Sequence, residues 1–287
     1  MGNSGGPESL HPRVAVSGLC FPALSAGESV EVLGDLGVTK TSMTSAKLRE
    51  CGTGAVVDAC RRSGVEVVTT TALVRFDLTR DLSRDLSRDH GAGVAEQTRR
   101  AREDIDQAAA VGASSVYTLT GPRAYPDWAD NVQAYARLVS DLVEYGAERN
   151  IALAVEPTSW LYADLSFVHS FHDSVAFASR TGMRVCLDLF HAWTESTLRR
   201  DIERHIDLIC HVQLSDMQRG ARSLPCRAVP GDGDVPLRAI VRWLLDAGYP
   251  GVFDLELSGP GIDELGHREA AGYSAAWLDA LLAELDA

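Results

Sequence analysis

The sequence predicts an α/β fold, a (β/α)8 barrel in which eight parallel strands alternate with eight helices. Runs of strand length, apolar or β-branched, alternate with amphipathic runs of helix length, and no linker separates two halves. The 287 residues suit one closed eightfold barrel, for which about 250 is typical. An open doubly wound sheet fits less well. The turn after the first strand, Ser17-Gly18-Leu19-Cys20-Phe21-Pro22, has no G-x-G-x-x-G phosphate-binding pattern.

The elements follow in order. Residues 1–12 are rich in Gly, Ser and Pro without an apolar signal-peptide core, so they are expected as a disordered leader before a single barrel domain, 13–287. The first strand is expected over 13–21 and a helix over 26–36, closed by Gly37. A polar second strand covers 38–43, a helix covers 55–63 up to the C-cap Gly64, and a β-branched third strand covers 65–72. Next comes a polar insertion, 77–90, in which Asp-Leu-Ser/Thr-Arg occurs three times. It is too short for a solenoid repeat and reads as a solvated segment of alternating charge, with a loop over the active site as the functional alternative. A helix over 95–111, a strand over 115–119 and a strongly amphipathic helix over 132–149 follow. The remaining strands are expected over 151–156, 183–189, 207–214 and 251–257, with helices over 170–180, 198–205, 237–246 and 270–285.

A formal net charge of −13 opposes nucleic-acid binding, which needs a basic surface. No apolar run is long enough to span a bilayer. The six cysteines are scattered without a C-x-x-C pair, so reduced thiols and a cytoplasmic location are expected.

The informative feature is where the later strands end. The fifth finishes in Glu156-Pro157, the sixth in Asp188 with His191 just beyond, the seventh in Gln213, and the eighth in Glu256. One acid at a strand end is more often a helix cap or a loop anchor. Four such residues on successive strands would converge at the C-terminal mouth of a barrel, where active sites of this fold lie. Three carboxylates there need a cation or shared protons. An oxygen-rich set of Glu156, Asp188, Gln213 and Glu256 suits one divalent metal ion, Mn²⁺ or Mg²⁺ more than Zn²⁺. Gln213 is the weakest donor chemically. His211 shares its face two residues earlier, one layer deeper, which suggests a supporting role.

These segments carry a resemblance. Glu156-Pro157, Leu187-Asp188-Leu189-Phe190-His191-Ala192-Trp193, His211-Val212-Gln213-Leu214-Ser215-Asp216, the loop from Arg227 through Pro230-Gly231-Asp232-Gly233 and Glu256 are similar to the sugar phosphate isomerase/epimerase superfamily, with its xylose isomerase-like barrel. The resemblance implies one divalent metal on Glu156, Asp188, Gln213 and Glu256, with His191 and Arg227 on substrate oxygens. Arg219 and Arg222 remain alternatives to Arg227. It implies isomerisation or epimerisation of a sugar or keto-sugar through an enediolate, with Glu156 and Glu256 exchanging the proton. Trp160, Tyr162 and Trp193 follow the fifth and sixth strands and form either an apolar substrate wall or loop packing. Lys47 reads as a surface lysine, with substrate contact as the alternative.

Three other functions use such a barrel. A lyase or dehydratase of a keto-sugar or inosose begins with the same proton abstraction. An abasic-site endonuclease needs more strand-end histidines and a basic face. A non-catalytic binding barrel would not need the ligand set. Barrels of this class often form dimers or tetramers, so a homo-oligomer is the protein partner the resemblance implies.

Overall fold

Eight parallel strands close into one barrel, in sequence order around the ring. They are β1 (Val14–Val16), β2 (Lys40–Thr44), β3 (Glu66–Thr71), β4 (Ser115–Thr118), β5 (Ala152–Val155), β6 (Arg184–Asp188), β7 (Ile209–Leu214) and β8 (Phe253–Leu255). The structure is a computed structural model, and it describes residues 9–72 and 93–287. The ring closes where β1 pairs with β8, Val14 opposite Phe253 and Val16 opposite Leu255.

The surrounding helices are α1 (Ala26–Asp35), α2 (Ser45–Cys51), α3 (Thr53–Ser63), α4 (Val94–Ala110), α5 (Trp128–Ala147), α6 (Phe171–Thr181), α7 (Leu189–Ala192), α8 (Leu198–His205), α9 (Leu237–Asp246), α10 (Pro260–Leu265) and α11 (His267–Glu284). Local chemistry sets several ends. Ser25 and Glu28 form a reciprocal capping box at the start of α1. Gly64 adopts a left-handed φ of 67° after α3, a conformation that a Cβ disfavours.

Most of the apolar core lies between the strands and the helix layer. The barrel interior is different. Its polar side chains pair across strands: Ser42 Oγ donates to Ser17 Oγ at 2.9 Å, and Thr69 and Ser115 share a 2.7 Å hydrogen bond. A small cluster of Tyr117, Ala154 and Cys186 fills the lumen on the β4–β6 side.

Three expectations need correction. The first strand does not run through 13–21, because Ser17 accepts from Leu19 N and turns the chain into a short 3-10 helix, Gly18–Cys20. Short helices α2, α7 and α10 occupy segments expected as loops. The leader expected over 1–12 is held at its end. Leu10 N donates to Gly37 O at 3.1 Å, and His11 N donates to Asp279 Oδ1 at 2.6 Å. Residues 1–8 and the insertion at 77–90 lie outside the described residues. Among the described residues no helix is long and apolar enough to cross a membrane.

Candidate active site at the barrel mouth

Strand alternation sends every second side chain into the lumen. On the β5–β8 side the residues so directed are Glu156, Asp188, Gln213 and Glu256, each at or just past its strand end. Pairing aligns them: Glu156 N donates to Thr118 O, Asp188 lies opposite Gln213, and Glu256 N donates to Leu214 O. All four are buried or nearly so, with Asp188 and Gln213 fully enclosed.

Arg227 organises the charge. Its Nη2 lies 2.6 Å from Asp188 Oδ2 and 2.9 Å from Glu256 Oε1. Nη1 donates to Ser215 Oγ at 3.1 Å, and the guanidinium lies 4.5 Å from the centre of the Phe190 ring. Asp188 also caps α7, its Oδ1 accepting from Phe190 N at 2.9 Å. One guanidinium therefore faces three buried carboxylates, which is too little positive charge. Burial, together with Glu256 and Asp188, lifts the Glu156 carboxyl well above the ordinary range. Burial raises Glu256 to about 7 despite Arg227. Burial works against Asp188 as well, but the Arg227 charge and hydrogen bonds from Arg227 and Phe190 N outweigh it and hold that carboxyl low.

His191, on α7, stands over this cluster. Its Nε2 is 3.7 Å from Asp188 Oδ2 and 4.0 Å from Glu156 Oε1. Burial depresses its pKa to about 4, so the ring is neutral at physiological pH. Its Nδ1 has no hydrogen-bond partner among the described residues. Glu156, Asp188 and His191 each offer a donor atom within 4.8 Å of the others, a spacing that one metal ion could bridge. The surplus of buried negative charge fits a divalent cation there.

Gln213 is arranged otherwise than expected. Its Oε1 accepts from the Cys186 thiol at 3.1 Å, while its Nε2 donates to Tyr117 Oη at 3.0 Å and to Glu256 Oε2. Gln213 thus contacts Glu256 and Tyr117, beside the compact donor group of Glu156, Asp188 and His191. A donor group that includes His191 also suits Zn²⁺. Tyr117, which stacks on His211 with ring centres 6.1 Å apart, was not singled out in the sequence. The alternation Ser115-Val116-Tyr117 on β4 was the available signal, since it aims both Ser115 and Tyr117 inward. Below, His211 Nε2 meets Asp254 Oδ2 at 3.0 Å in a fully buried pair.

Arg227 is delivered by the loop after β7, and Asp216 rivets that loop. Asp216 Oδ1 accepts from Met217 N and Val235 N at 2.8 and 3.0 Å, and Oδ2 accepts from Gly231 N at 3.0 Å. Backbone bonds between Asp216 and Ala228 complete the clasp. A Cβ at Gly233 would lie 2.1 Å from Asp216 Oδ1, so glycine is required there. Of the other arginines considered, Arg219 is exposed and paired with Asp234, whereas Arg222 lines the mouth.

A cavity of about 480 Å³ opens above His191. Trp160, Tyr162, Phe190, Trp193 and Leu224 form much of its wall. Trp160 is 73% exposed, and Trp193 is half-buried. Tyr162 meets the His191 ring edge-on at 5.3 Å. Lys47 fits neither expectation. Its ammonium donates to Gly18 O at 2.9 Å and Phe21 O at 2.6 Å, and it lies 3.2 Å from Ser29 Oγ. It ties down the loop after β1.

The architecture and the mouth together define a closed parallel barrel with a buried, carboxylate-rich site at the C-terminal strand ends. The chain belongs to the xylose isomerase-like TIM barrel family, whose model matches residues 28–281. This family consists largely of metal-dependent sugar isomerases and epimerases. Similar solved structures include a D-allulose 3-epimerase from Methylomonas sp., with 15% identity, TM-score 0.75 and coverage of 96% of this chain and 100% of that one. Another is a probable 3-DHS dehydratase, AsbF, from Bacillus anthracis, with 11% identity, TM-score 0.73 and coverage of 93% and 98%. A third is the IOLI protein with a bound zinc atom, with 15% identity, TM-score 0.76 and coverage of 95% and 98%. A search of curated proteins finds no match.

Proposed function

We propose that this protein is a metal-dependent isomerase or epimerase of a sugar or related hydroxy-ketone, working by proton transfer next to a carbonyl. The observation that carries this reading is the enclosure of three carboxylates with one arginine at the strand ends. Such a surplus of buried charge is costly unless it serves a cation or a proton. It also counts against a purely structural or binding barrel.

Glu156, Asp188 and His191 would hold the metal, with Glu256 beside them on the Arg227 nitrogen that also meets Asp188. When bound, a divalent ion polarises the carbonyl and steadies negative charge on its oxygen. Glu156 and Glu256 are assigned the proton transfers. A carboxyl near 7 both accepts and returns a proton at neutral pH, which describes Glu256. Gln213, which also donates to the Tyr117 hydroxyl, holds the Glu256 carboxyl in place. Arg227 orients substrate oxygens.

A lyase reading uses the same residues. A protonated Glu256 would donate to a departing β-hydroxyl, and product analysis separates the two. The free thiols of all six cysteines suit a reducing cytoplasm. The partners are taken to be a small sugar or keto-sugar and at most a second copy of the chain.

The test begins with elemental analysis of the purified protein. It continues with deuterium uptake from D₂O by a panel of ketoses and inososes, with and without EDTA. Stoichiometric metal and EDTA-sensitive exchange are expected, and Glu156→Gln or Glu256→Gln should lower exchange at least about 100-fold. No metal, and no exchange after Mn²⁺ is supplied, would overturn the proposal.

A further inference from the structure

We infer that the substrate carries a bulky apolar body, aryl or branched alkyl, attached to its hydroxy-ketone head, in place of the hydroxylated tail of a sugar. The inference rests on the proton-transfer reading of the site and adds the substrate class.

The cavity borders the carboxylate cluster at His191. His191 faces Asp188 and Glu156 on one side and lines the cavity on the other, and Cys226, next to Arg227, lines it too. A molecule whose carbonyl lies beside His191 leaves its remainder in this space. About 480 Å³ is a usual size for a small-molecule site. It is far more than a three-carbon hydroxy-ketone fills.

The lining does not suit a row of hydroxyl groups. No carboxylate, carboxamide or lysine lines the cavity among the described residues. Its polar groups beyond His191 and the Tyr162 hydroxyl are Ser159, Thr194, Ser223, Arg222, Cys226 and the indole N–H groups of Trp160 and Trp193. Ser159 Oγ already accepts from Leu161 N. A polyol would lose water here without regaining its hydrogen bonds. The apolar members form one surface. Phe190 and Tyr162 stand edge-on to His191 at the floor, and Trp193 and Leu224 rise beside them. Trp160, Leu161 and Leu224 are 73%, 49% and 48% exposed, an unusual concentration of open apolar surface around one opening. An aromatic or branched aliphatic group would cover it.

Two ligands that share a head group decide the matter. 2-Hydroxyacetophenone and dihydroxyacetone each present a carbonyl beside a CH₂OH, and they differ in phenyl against hydroxymethyl. The full-length protein is loaded with Mn²⁺, its metal content is measured, and deuterium uptake at the carbinol carbon is followed in D₂O for both. The aryl ketone is expected to exchange with kcat/KM at least about tenfold higher, the scale on which apolar pockets discriminate. Trp160→Ser, at an exposed position that leaves folding intact, should reduce that ratio at least about threefold. Dihydroxyacetone or D-fructose exchanging as fast as the aryl ketone, with metal bound, would overturn the apolar-body inference and leave the proton-transfer reading standing. Failure to take up Mn²⁺ would overturn both.

Discussion

At the scale of single residues, Arg227 is the side chain on which the site depends most. It is the one cation in direct contact with Asp188 and Glu256 among the described residues, and it is 6% exposed. Replacing it with methionine keeps much of the volume and removes the charge. Breaking a buried ion pair from one side costs about 3–5 kcal/mol, because the remaining carboxylates are left uncompensated. Arg227→Met should therefore melt well below the parent in EDTA. A divalent ion should restore part of the loss, so Mn²⁺ should raise the midpoint more in the variant than in the parent. Equal shifts would mean that Arg227 and the metal do not serve the same carboxylates. The convergence of Glu156, Asp188 and Glu256 was legible in the sequence, because strand alternation and strand ends determine where such side chains point. The orientation of Gln213 was not. It is set by a thiol 27 positions earlier, at Cys186, and by the Tyr117 hydroxyl 96 positions earlier. The role of Lys47 was hidden for a related reason, since its partners Gly18 O and Phe21 O are backbone carbonyls without a side-chain signature.

At the scale of elements, two connections allow direct tests. The loop from Arg227 to Val235 is held by the Asp216 carboxylate, and Gly233 leaves room for it. Gly233→Ala places a methyl on Asp216 Oδ1, so the clasp must shift, at a cost of about 1–3 kcal/mol. The same variant should lose exchange activity, because Arg227 sits at the start of the loop. Unchanged stability by urea unfolding would show that the clasp adapts freely. The second connection is Glu195, which accepts from Phe171 N at 2.7 Å and His172 N at 3.4 Å at the start of α6. Burial raises its carboxyl from 4.5 to about 7. The folded state therefore holds this proton more tightly than the unfolded chain. The stabilising contribution is full below 4.5 and is lost as pH rises through about 7. Glu195→Gln cannot ionise, so it should flatten that decline by on the order of 2 kcal/mol, allowing for partial exposure. Urea titrations at about pH 5 and about pH 8 measure it, and parallel losses in the two proteins would count against the assignment. Elements of two turns or more were legible from their periodicity and caps. The short helices α2, α7 and α10 were not, since six or seven residues, or four in α7, barely complete a turn or two and carry no readable period.

At the scale of the whole molecule, a closed barrel has one property that its separate units lack: every strand needs both neighbours, including the pair farthest apart in sequence. The β1–β8 seam is where that requirement is met, and Arg13 secures it. Its Nε donates to Gly251 O at 2.8 Å and its Nη2 to Tyr249 O at 2.6 Å. The guanidinium also lies 5.1 Å from the centre of the Phe253 ring and 5.7 Å from that of Tyr249. Both hydrogen bonds cross more than 230 positions of sequence, so they form only when the ring closes. Arg13→Gln removes the charge and shortens the reach, which should cost about 1.5–3 kcal/mol for a charge-assisted contact. The unfolding curve should shift as a single transition. Opening the seam exposes the edges of both β1 and β8, and neither edge strand is long enough to hold its place alone, at three residues each. Fluorescence of the five tryptophans and far-ultraviolet circular dichroism should then give coincident midpoints, both lowered. A separate early transition seen by one probe would indicate that the β1 end can detach while the rest of the barrel, with its carboxylate site on β5 to β8, stays folded.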